Sequence, residues 1–391
     1  MTYFIVDIVD LKHQYCKEFK MRFVPVSGLV EGMVCGRKLY DVNHQLLLNS
    51  NSIIHRSYIE RIKSLGYQGI YIEDEMSKDI MLKDVISDEL RMSAIKAVKD
   101  ICIYASQSKS DPKKLVDKVN HTKILISNIV EQVLENKDTM VNLIDLKFYD
   151  DYTFFHSVNV AVLSILVGVE YGLNKADLFN VGLASILHDI GKMFVDKDIL
   201  NKPGKLTEEE YEAVKQHPTF GFNYLKESYD IPTSVYVSVL QHHERYDGKG
   251  YPMQKSKDQI SIIARIIGVA DVYDALTSSR PYREALLPSE AMEFIMANGG
   301  SMFDLEITKI FAKKVAPFPV GTYVILSNGL TGIVASNHED ACMRPEVKII
   351  MNANQEVIVP YILDLRLNRS LRSVTITGIN SLMKAKEVKQ A

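Results

Sequence analysis

The sequence predicts a multidomain, mainly α-helical protein: an all-helical central domain flanked by a small α+β module at the N-terminus and a small β module at the C-terminus. Three observations predict it. A chain of 391 residues is about two to three times a usual single domain and buries more than one core. Residues 146 to 315 hold a long succession of helical patterns, in which Phe155 to Val169 and Leu178 to Ile190 are apolar nearly all round and so are buried helices. Beyond Pro317 the hydrophobic period changes to two. The expected boundaries are 1–80, 81–145 for a helical linker or regulatory region, 146–317, and 318–391 for the β module with its tail.

Residues 22 to 75 read as short strands around one helix. Val34 to Tyr40 and Gln45 to Leu48 flank polar Asp41 to His44, and the helix Tyr58 to Leu65 is stopped by Gly66. From Val85 to Glu135 the pattern is helical, with Asp111 and Pro112 in cap and first-turn positions ahead of Leu115, Val119, Ile126, Ile129 and Val133. The polar stretch Ser106 to Lys114 reads as a solvated connection or hinge between two helices. Thr207 and Glu210 form a capping box that starts a helix. His217 before Pro218 is expected at a junction rather than within a helix. In the β module, Tyr323 to Leu326 and Thr331 to Ala335 bracket Asn328-Gly329, a hairpin signal, and Glu346 to Met351 and Glu356 to Pro360 read as further strands.

Composition excludes several classes. Hydrophobic residues are 47% and charged residues 24%, which fits a globular chain and not a disordered one. With 46 basic against 49 acidic side chains and a net charge of -3, no polycationic surface is available for polymeric DNA or RNA. Cys16, Cys35, Cys102 and Cys342 form no CxxC pair, so reduced thiols in a cytoplasm are expected. The N-terminus carries Asp7 and Asp10 where a secretory signal needs cations, and Val158 to Val169, ended by Glu170, reads as too short to span a bilayer.

Five of the ten histidines, His156, His188, His217, His242 and His243, fall within the buried helical region. Singly, each is more often a hydrogen-bonded core residue than a ligand; as a set they point to metal. His188 and Asp189 end an apolar helix, where a buried imidazole and carboxylate need a compensating cation. Asp271 and Asp274, three apart on another apolar helix, lean to one face, and one of them reaches the same ion. His156, His188, Asp189 and Asp271 make one mixed N/O set; His217, His242 and His243 make a second, with Asp189 bridging. Adjacent His242 and His243 can share an ion only at a helix end, which the loop from Tyr246 supplies. Two divalent ions leave about one positive charge beyond two aspartates and a bridging hydroxide, a centre for an anionic substrate and for phosphoester hydrolysis. Lys192, Arg280 and Arg283 are suited to phosphate oxygens, and Gly248-Lys249-Gly250-Tyr251-Pro252 to a substrate-facing loop in which Tyr251 stacks on a base.

These residues resemble the HD-GYP family, the bacterial cyclic di-GMP phosphodiesterases of the HD phosphohydrolase superfamily. The likeness covers about residues 150 to 312, through His156-Ser157-Val158-Asn159, His188-Asp189-Ile190-Gly191-Lys192, Asn201-Lys202-Pro203-Gly204, Gln216-His217-Pro218, His242-His243-Glu244-Arg245, Gly250-Tyr251-Pro252, and Ala270-Asp271-Val272-Tyr273-Asp274 to Arg280-Pro281-Tyr282-Arg283. The resemblance implies metal ligands at His156, His188, Asp189, His217, His242, His243 and Asp271, with two ions of iron or manganese. Some members bind a third metal through a glutamate where this chain has Tyr152, so a two-metal site is expected. It further implies that Asp189, bridging the two ions, is catalytic, that Lys192 and Asp274 assist at the scissile phosphate, and that Lys192, Gly250, Tyr251, Pro252, Arg280 and Arg283 hold the substrate. Arg22 to Asp74 is similar to a small domain found before HD-GYP domains, and Pro319 to Leu365 to a β appendage found after some.

The expected function is a cytoplasmic cyclic di-GMP phosphodiesterase giving pGpG and onward GMP, with a homodimer across the helices of 85 to 135 or a signalling protein as partner. The alternatives are hydrolysis of another cyclic dinucleotide such as 3',3'-cGAMP, a non-catalytic nucleotide-sensing module, and diiron oxygen chemistry, which the Gly-Tyr-Pro loop and the two arginines disfavour.

Overall fold

The structure, a computed structural model, describes residues 19–41, 45–106, 112–142, 152–202, 204–227, 230–278, 285–367 and 369–379. About half of it is helical. The N-terminal part contains β1 (Phe19–Lys20), β2 (Arg22–Pro25), β3 (Val34–Cys35), β4 (Leu39–Tyr40), β5 (Leu46–Leu48), α1 (Arg56–Ser64), β6 (Gly69–Glu73) and β7 (Met81–Leu82). The antiparallel sheet β2-β6-β3 is its centre, with β4 paired to β5 and β1 to β7. The single strand expected at Val34 to Tyr40 is two, since only its ends pair, and with different partners. Gly66 ends the helix with φ +80°, a conformation that favours glycine.

The helical region runs from α2 (Asp88–Ala105) and α3 (Pro112–Glu135) through α4 (Tyr152–Tyr171), α5 (Lys175–Leu187), α6 (Lys197–Leu200), α7 (Glu208–Val214), α8 (His217–Lys226), α9 (Thr233–Gln241), α10 (Ile262–Leu276), α11 (Pro288–Ala297) and α12 (Leu305–Lys314). Helix α4 is the hub and packs on α2, α3, α5, α10 and α12. Its length corrects a sequence expectation. Thr153–Tyr171 is long and apolar enough to cross a membrane, because the helix extends beyond the Val158 to Val169 run at both ends. Yet 78% of its most apolar window is buried inside the fold, as a core helix requires. Of the expected connection at Ser106 to Lys114, Lys113 and Lys114 belong to α3, and residues 107–111 lie outside the described ones.

The Thr207 hydroxyl accepts from the Glu210 N–H and the Glu210 carboxylate accepts from the Thr207 N–H, closing the capping box that opens α7. His217 does lie at a junction, but it is the first residue of α8 rather than outside it. Pro218 sits in the first turn, where its missing N–H costs no helical bond.

The C-terminal sheet has the order β11-β10-β9-β8-β12, built from β8 (Tyr323–Leu326), β9 (Thr331–Ser336), β10 (Glu346–Met351), β11 (Val357–Asp364) and β12 (Ile376–Ile379). Gly329, at φ +84°, turns the β8–β9 hairpin. Strand β11 runs four residues past the Pro360 expected as its end, and β12 carries no alternation strong enough to have marked it.

The two terminal modules meet. Met21, Tyr71, Ile80 and Leu82 share one buried cluster with Val320, Tyr323, Ile333, Ile350 and Met351. The Phe23 N–H donates to the Gly321 carbonyl, and Lys348 Nζ lies 3.1 Å from Asp79 Oδ2. A second, larger core runs without interruption from Val24 and Ile72 through α2 to α5 and on to Phe311.

Candidate metal centre

Each imidazole of the centre sits where a helix begins or ends. His188 follows α5, whose last turns are buried, and His242 follows α9, so that His242 and His243 leave the helix as a pair. His217 begins α8, and His156 stands one turn into α4. Burial is nearly complete: His156, His188, Asp189, His217 and His242 are at most 4% exposed. Gly191 allows the approach, since a Cβ there would lie 1.9 Å from the His217 carbonyl oxygen.

Three of the histidines are oriented in one way. His188 Nδ1 lies 2.6 Å from the Ser185 carbonyl, His217 Nδ1 2.8 Å from that of Val214, and His242 Nδ1 2.7 Å from that of Val239. A backbone carbonyl only accepts, so each Nδ1 carries the proton and each Nε2 presents a lone pair. His156 is held through a side chain instead, its Nδ1 lying 2.7 Å from Asp274 Oδ2.

The Nε2 atoms converge on two carboxylates. Asp189 Oδ2 is 3.4 Å from His188 Nε2 and 3.9 Å from His156 Nε2, while Asp189 Oδ1 is 3.4 Å from His217 Nε2. Asp271 Oδ1 lies 3.1 Å from His156 Nε2 and 4.0 Å from His188 Nε2, and its Oδ2 lies 3.7 Å from His243 Nδ1. Both aspartates therefore face both groups of histidines. The sequence reading gave that bridging position to Asp189 alone, because spacing along a helix does not show where the two oxygens of one carboxylate point.

The electrostatics suit a cation. Burial raises the pKa of Asp189 and of Asp271, but Lys192 and His188 for the first, and His156 and His243 for the second, outweigh it and hold both well below the usual carboxylate range. Burial also lowers the histidines: His217 to about 3, His243 to about 4, and His242 well below its ordinary value. The result is two anionic carboxylates beside neutral His217, His242 and His243, with one ammonium, Lys192 Nζ, 2.6 Å from Asp189 Oδ2. His217 Nε2 and His242 Nε2 stand 3.3 Å apart with lone pairs opposed, and His188 Nε2 is buried without a hydrogen-bond partner. Two donors bound to one ion at about 2.1 Å stand roughly 3.4 Å apart at a tetrahedral angle, which is the spacing found. His217, His242 and His243 form one group whose ligand atoms lie within 4.8 Å of one another, and His156, His188 and Asp271 form another. The donor set fits divalent transition ions.

Asp274 stands behind this centre. It is 1% exposed, and its oxygens accept from His156 Nδ1 and, at 3.0 Å, from Asn159 Nδ2. Its geometry is that of a group holding His156. Asn159 in turn accepts from Arg91 on α2 at 2.8 Å. The sequence reading quoted Asn159 within the His156-Ser157-Val158-Asn159 motif without giving it a role, and did not mark Arg91. The available signal was Asn159 itself, a buried amide between Val158 and Val160 that must find partners.

Lys192 is at the rim, with 28% of its side chain exposed. Gly250 packs the following loop on the chain beside it, since a Cβ there would lie 2.3 Å from the Arg245 N and 2.5 Å from the His243 carbonyl oxygen. Glu244 fixes the loop by accepting from the Met253 and Lys255 N–H groups. The Tyr251 ring lies against His243, 4.7 Å between centroids, and the Tyr251-Pro252 peptide bond is cis. A cavity of about 340 Å³ opens beside His242, His243 and Tyr251, walled by Tyr246, Arg265 and Met302. Arg280 and Arg283 lie outside the described residues.

Residues 126–307 match the HD domain family. The chain is 40% identical over 240 residues to the cyclic di-GMP phosphodiesterase PA4108 of Pseudomonas aeruginosa, covering 61% of this chain and 58% of that protein. It is 32% identical over 244 residues to a cyclic di-GMP phosphodiesterase of Thermotoga maritima, covering 60% and 64%. To the 3'3'-cGAMP-specific phosphodiesterase 3 of Vibrio cholerae it is 37% identical over 168 residues, covering 43% and 36%. The matched part thus spans less than two thirds of each of these relatives. Residues 126–307 are an HD domain, and with a buried histidine–aspartate pair at its centre and the Gly250-Tyr251-Pro252 loop beside it, the similarity to cyclic di-GMP phosphodiesterases supports an HD-GYP type of HD-domain protein.

Proposed function

We propose that this protein is a metal-dependent phosphodiesterase that hydrolyses cyclic di-GMP to linear pGpG. The observation that carries the reading is the opposed pair His217 Nε2 and His242 Nε2, 3.3 Å apart and flanked by two buried carboxylates, an arrangement that a shared cation would stabilise. His156, His188, Asp189 and Asp271 would hold one ion and His217, His242 and His243 the other, with Asp189 and Asp271 facing both. Iron or manganese suits this mixture of imidazole and carboxylate. Such ions, when bound, supply an acidified water and positive charge for phosphoryl oxygens.

The chain's own groups supply the rest. Ser185, Val214 and Val239 fix three imidazoles through their carbonyls, and Asp274 fixes the fourth, so the ligands need no reorganisation on binding. Lys192, tied to Asp189 yet partly exposed, is positioned to pair with a non-bridging phosphate oxygen and to offset charge on the leaving oxygen. Tyr251 offers a ring face at the rim for a base, and the adjoining cavity offers room for part of the nucleotide. Arg280 and Arg283 are proposed phosphate contacts on the resemblance alone.

Hydrolysis of 3',3'-cGAMP is the second reading, favoured by the 37% identity to a Vibrio cholerae enzyme named for that substrate. Incubating the iron- or manganese-loaded protein with each nucleotide and separating products by chromatography tests both. Linear pGpG, formed faster than the cGAMP product at equal concentration, is the expected result. No linear product from either nucleotide overturns the assignment, and a preference for cGAMP transfers it to the second reading.

A further inference from the structure

The C-terminal sheet carries a second group of metal-ligating side chains, remote in sequence from the first. On adjacent strands β9, β10 and β11 the register sets Glu346 directly opposite both Ser336 and Asp364. Side chains at directly opposed positions share one face, so two carboxylates are neighbours there, an unfavourable pairing unless a cation lies between them. His338, two residues beyond the end of β9, brings an imidazole to the same corner, its Nε2 lying 3.5 Å from Asp364 Oδ1. The ligand atoms of His338, Glu346 and Asp364 all fall within 4.8 Å of one another.

His338 Nε2 is buried and makes no hydrogen bond, although a carboxylate stands beside it. At 3.5 Å the separation is too long for a charge-assisted hydrogen bond and matches the roughly 3.4 Å between two donors on one tetrahedral ion. Neighbouring groups leave the corner short of positive charge. Arg366 donates to Asp340 at 3.0 Å and comes only within 3.9 Å of Asp364 Oδ2. Asp364 Oδ1 also accepts from the Arg366 and Leu367 N–H groups, and Glu346 Oε2 from the Ser336 hydroxyl, contacts that aim the carboxylates without neutralising them.

We propose that His338, Glu346 and Asp364 bind a divalent transition cation of the zinc class, with water completing the coordination. One imidazole and two carboxylates is a donor set for such an ion, and the strand register holds two of the three ligands at fixed spacing. The bound ion ties together β10, β11 and the β9–β10 connection, the side of the sheet farthest from β8 and β12.

The test is anomalous diffraction from crystals of the full-length protein soaked with zinc chloride. The expected result is a peak within bonding distance of His338 Nε2, Glu346 and Asp364, separate from any at the central cluster. Metal analysis after dialysis against zinc accompanies it: His338→Ala and Glu346→Gln are each expected to hold one equivalent less than the wild type while keeping the wild-type rate of cyclic dinucleotide hydrolysis. Glu346→Gln preserves side-chain shape, so its loss of zinc does not reduce to misfolding. No peak at this corner, or zinc contents equal in wild type and both variants, overturns the proposal.

Discussion

The central cluster and the corner of the C-terminal sheet gather the same ligand chemistry by different means. In the centre four of the five imidazoles are anchored twice. Helix ends deliver the side chains, and a backbone carbonyl or Asp274 orients each of His156, His188, His217 and His242. At the sheet corner, strand register delivers Glu346 and Asp364, while His338 is positioned by a loop. Exposure differs accordingly, at 0% for the His188 side chain against 11% for that of His338. The lesson is that helix ends build a deep, preorganised site suited to chemistry, whereas register builds a shallow one suited to fastening strands.

The largest effect that sharpens this comparison is metal removal. Chelation of the whole protein is expected to abolish hydrolysis, with activity returning on iron or manganese, and a mild chelator is expected to strip the sheet corner before the centre. Metal content followed against chelator concentration checks the order of loss; simultaneous loss from both places erases the distinction. Next is Asp189→Asn, which weakens a carboxylate facing both groups of histidines. It is expected to lower kcat on the order of 10^3-fold and to reduce the metal retained, read by steady-state assay and metal analysis.

Asp274→Asn should be milder, because it perturbs a ligand's orientation and not a ligand. A loss of roughly 10- to 100-fold in metal affinity or activity is expected, with the far-ultraviolet circular dichroism unchanged. A far smaller loss would mean that His156 is held well enough by packing alone. The smallest effect is expected at Arg91→Gln, which removes the α2 contact to Asn159: about two- to fivefold in metal affinity, smaller than the usual outer-contact range because two groups intervene. Titration with manganese, monitored by recovered activity, resolves it.

Much of this arrangement was legible in the sequence because burial and polarity conflict openly there. His188-Asp189 after an apolar helix and Asp271 inside one are costly unless they meet a cation, and that cost can be read without coordinates. The hairpin at Asn328-Gly329 and the capping box at Thr207 and Glu210 were legible for a similar reason, each being a local pattern with a local cause. What could not be read is what depends on three-dimensional approach. The two-sided reach of Asp271, the contact between Arg91 and Asn159 across 68 positions, and the shared core of the terminal modules have no short-range signature. His338 was one of five scattered histidines, and only strand register brings it to Glu346 and Asp364.

The central claim is that the buried cluster holds two ions that act on a cyclic dinucleotide. Anomalous diffraction from crystals of the manganese-loaded protein, collected from the batch assayed for pGpG formation, tests it most directly. The account predicts two peaks, one among His156, His188, Asp189 and Asp271 and the other among His217, His242, His243 and Asp189. A single peak, or none, in a batch that still opens the ring at full rate would contradict it.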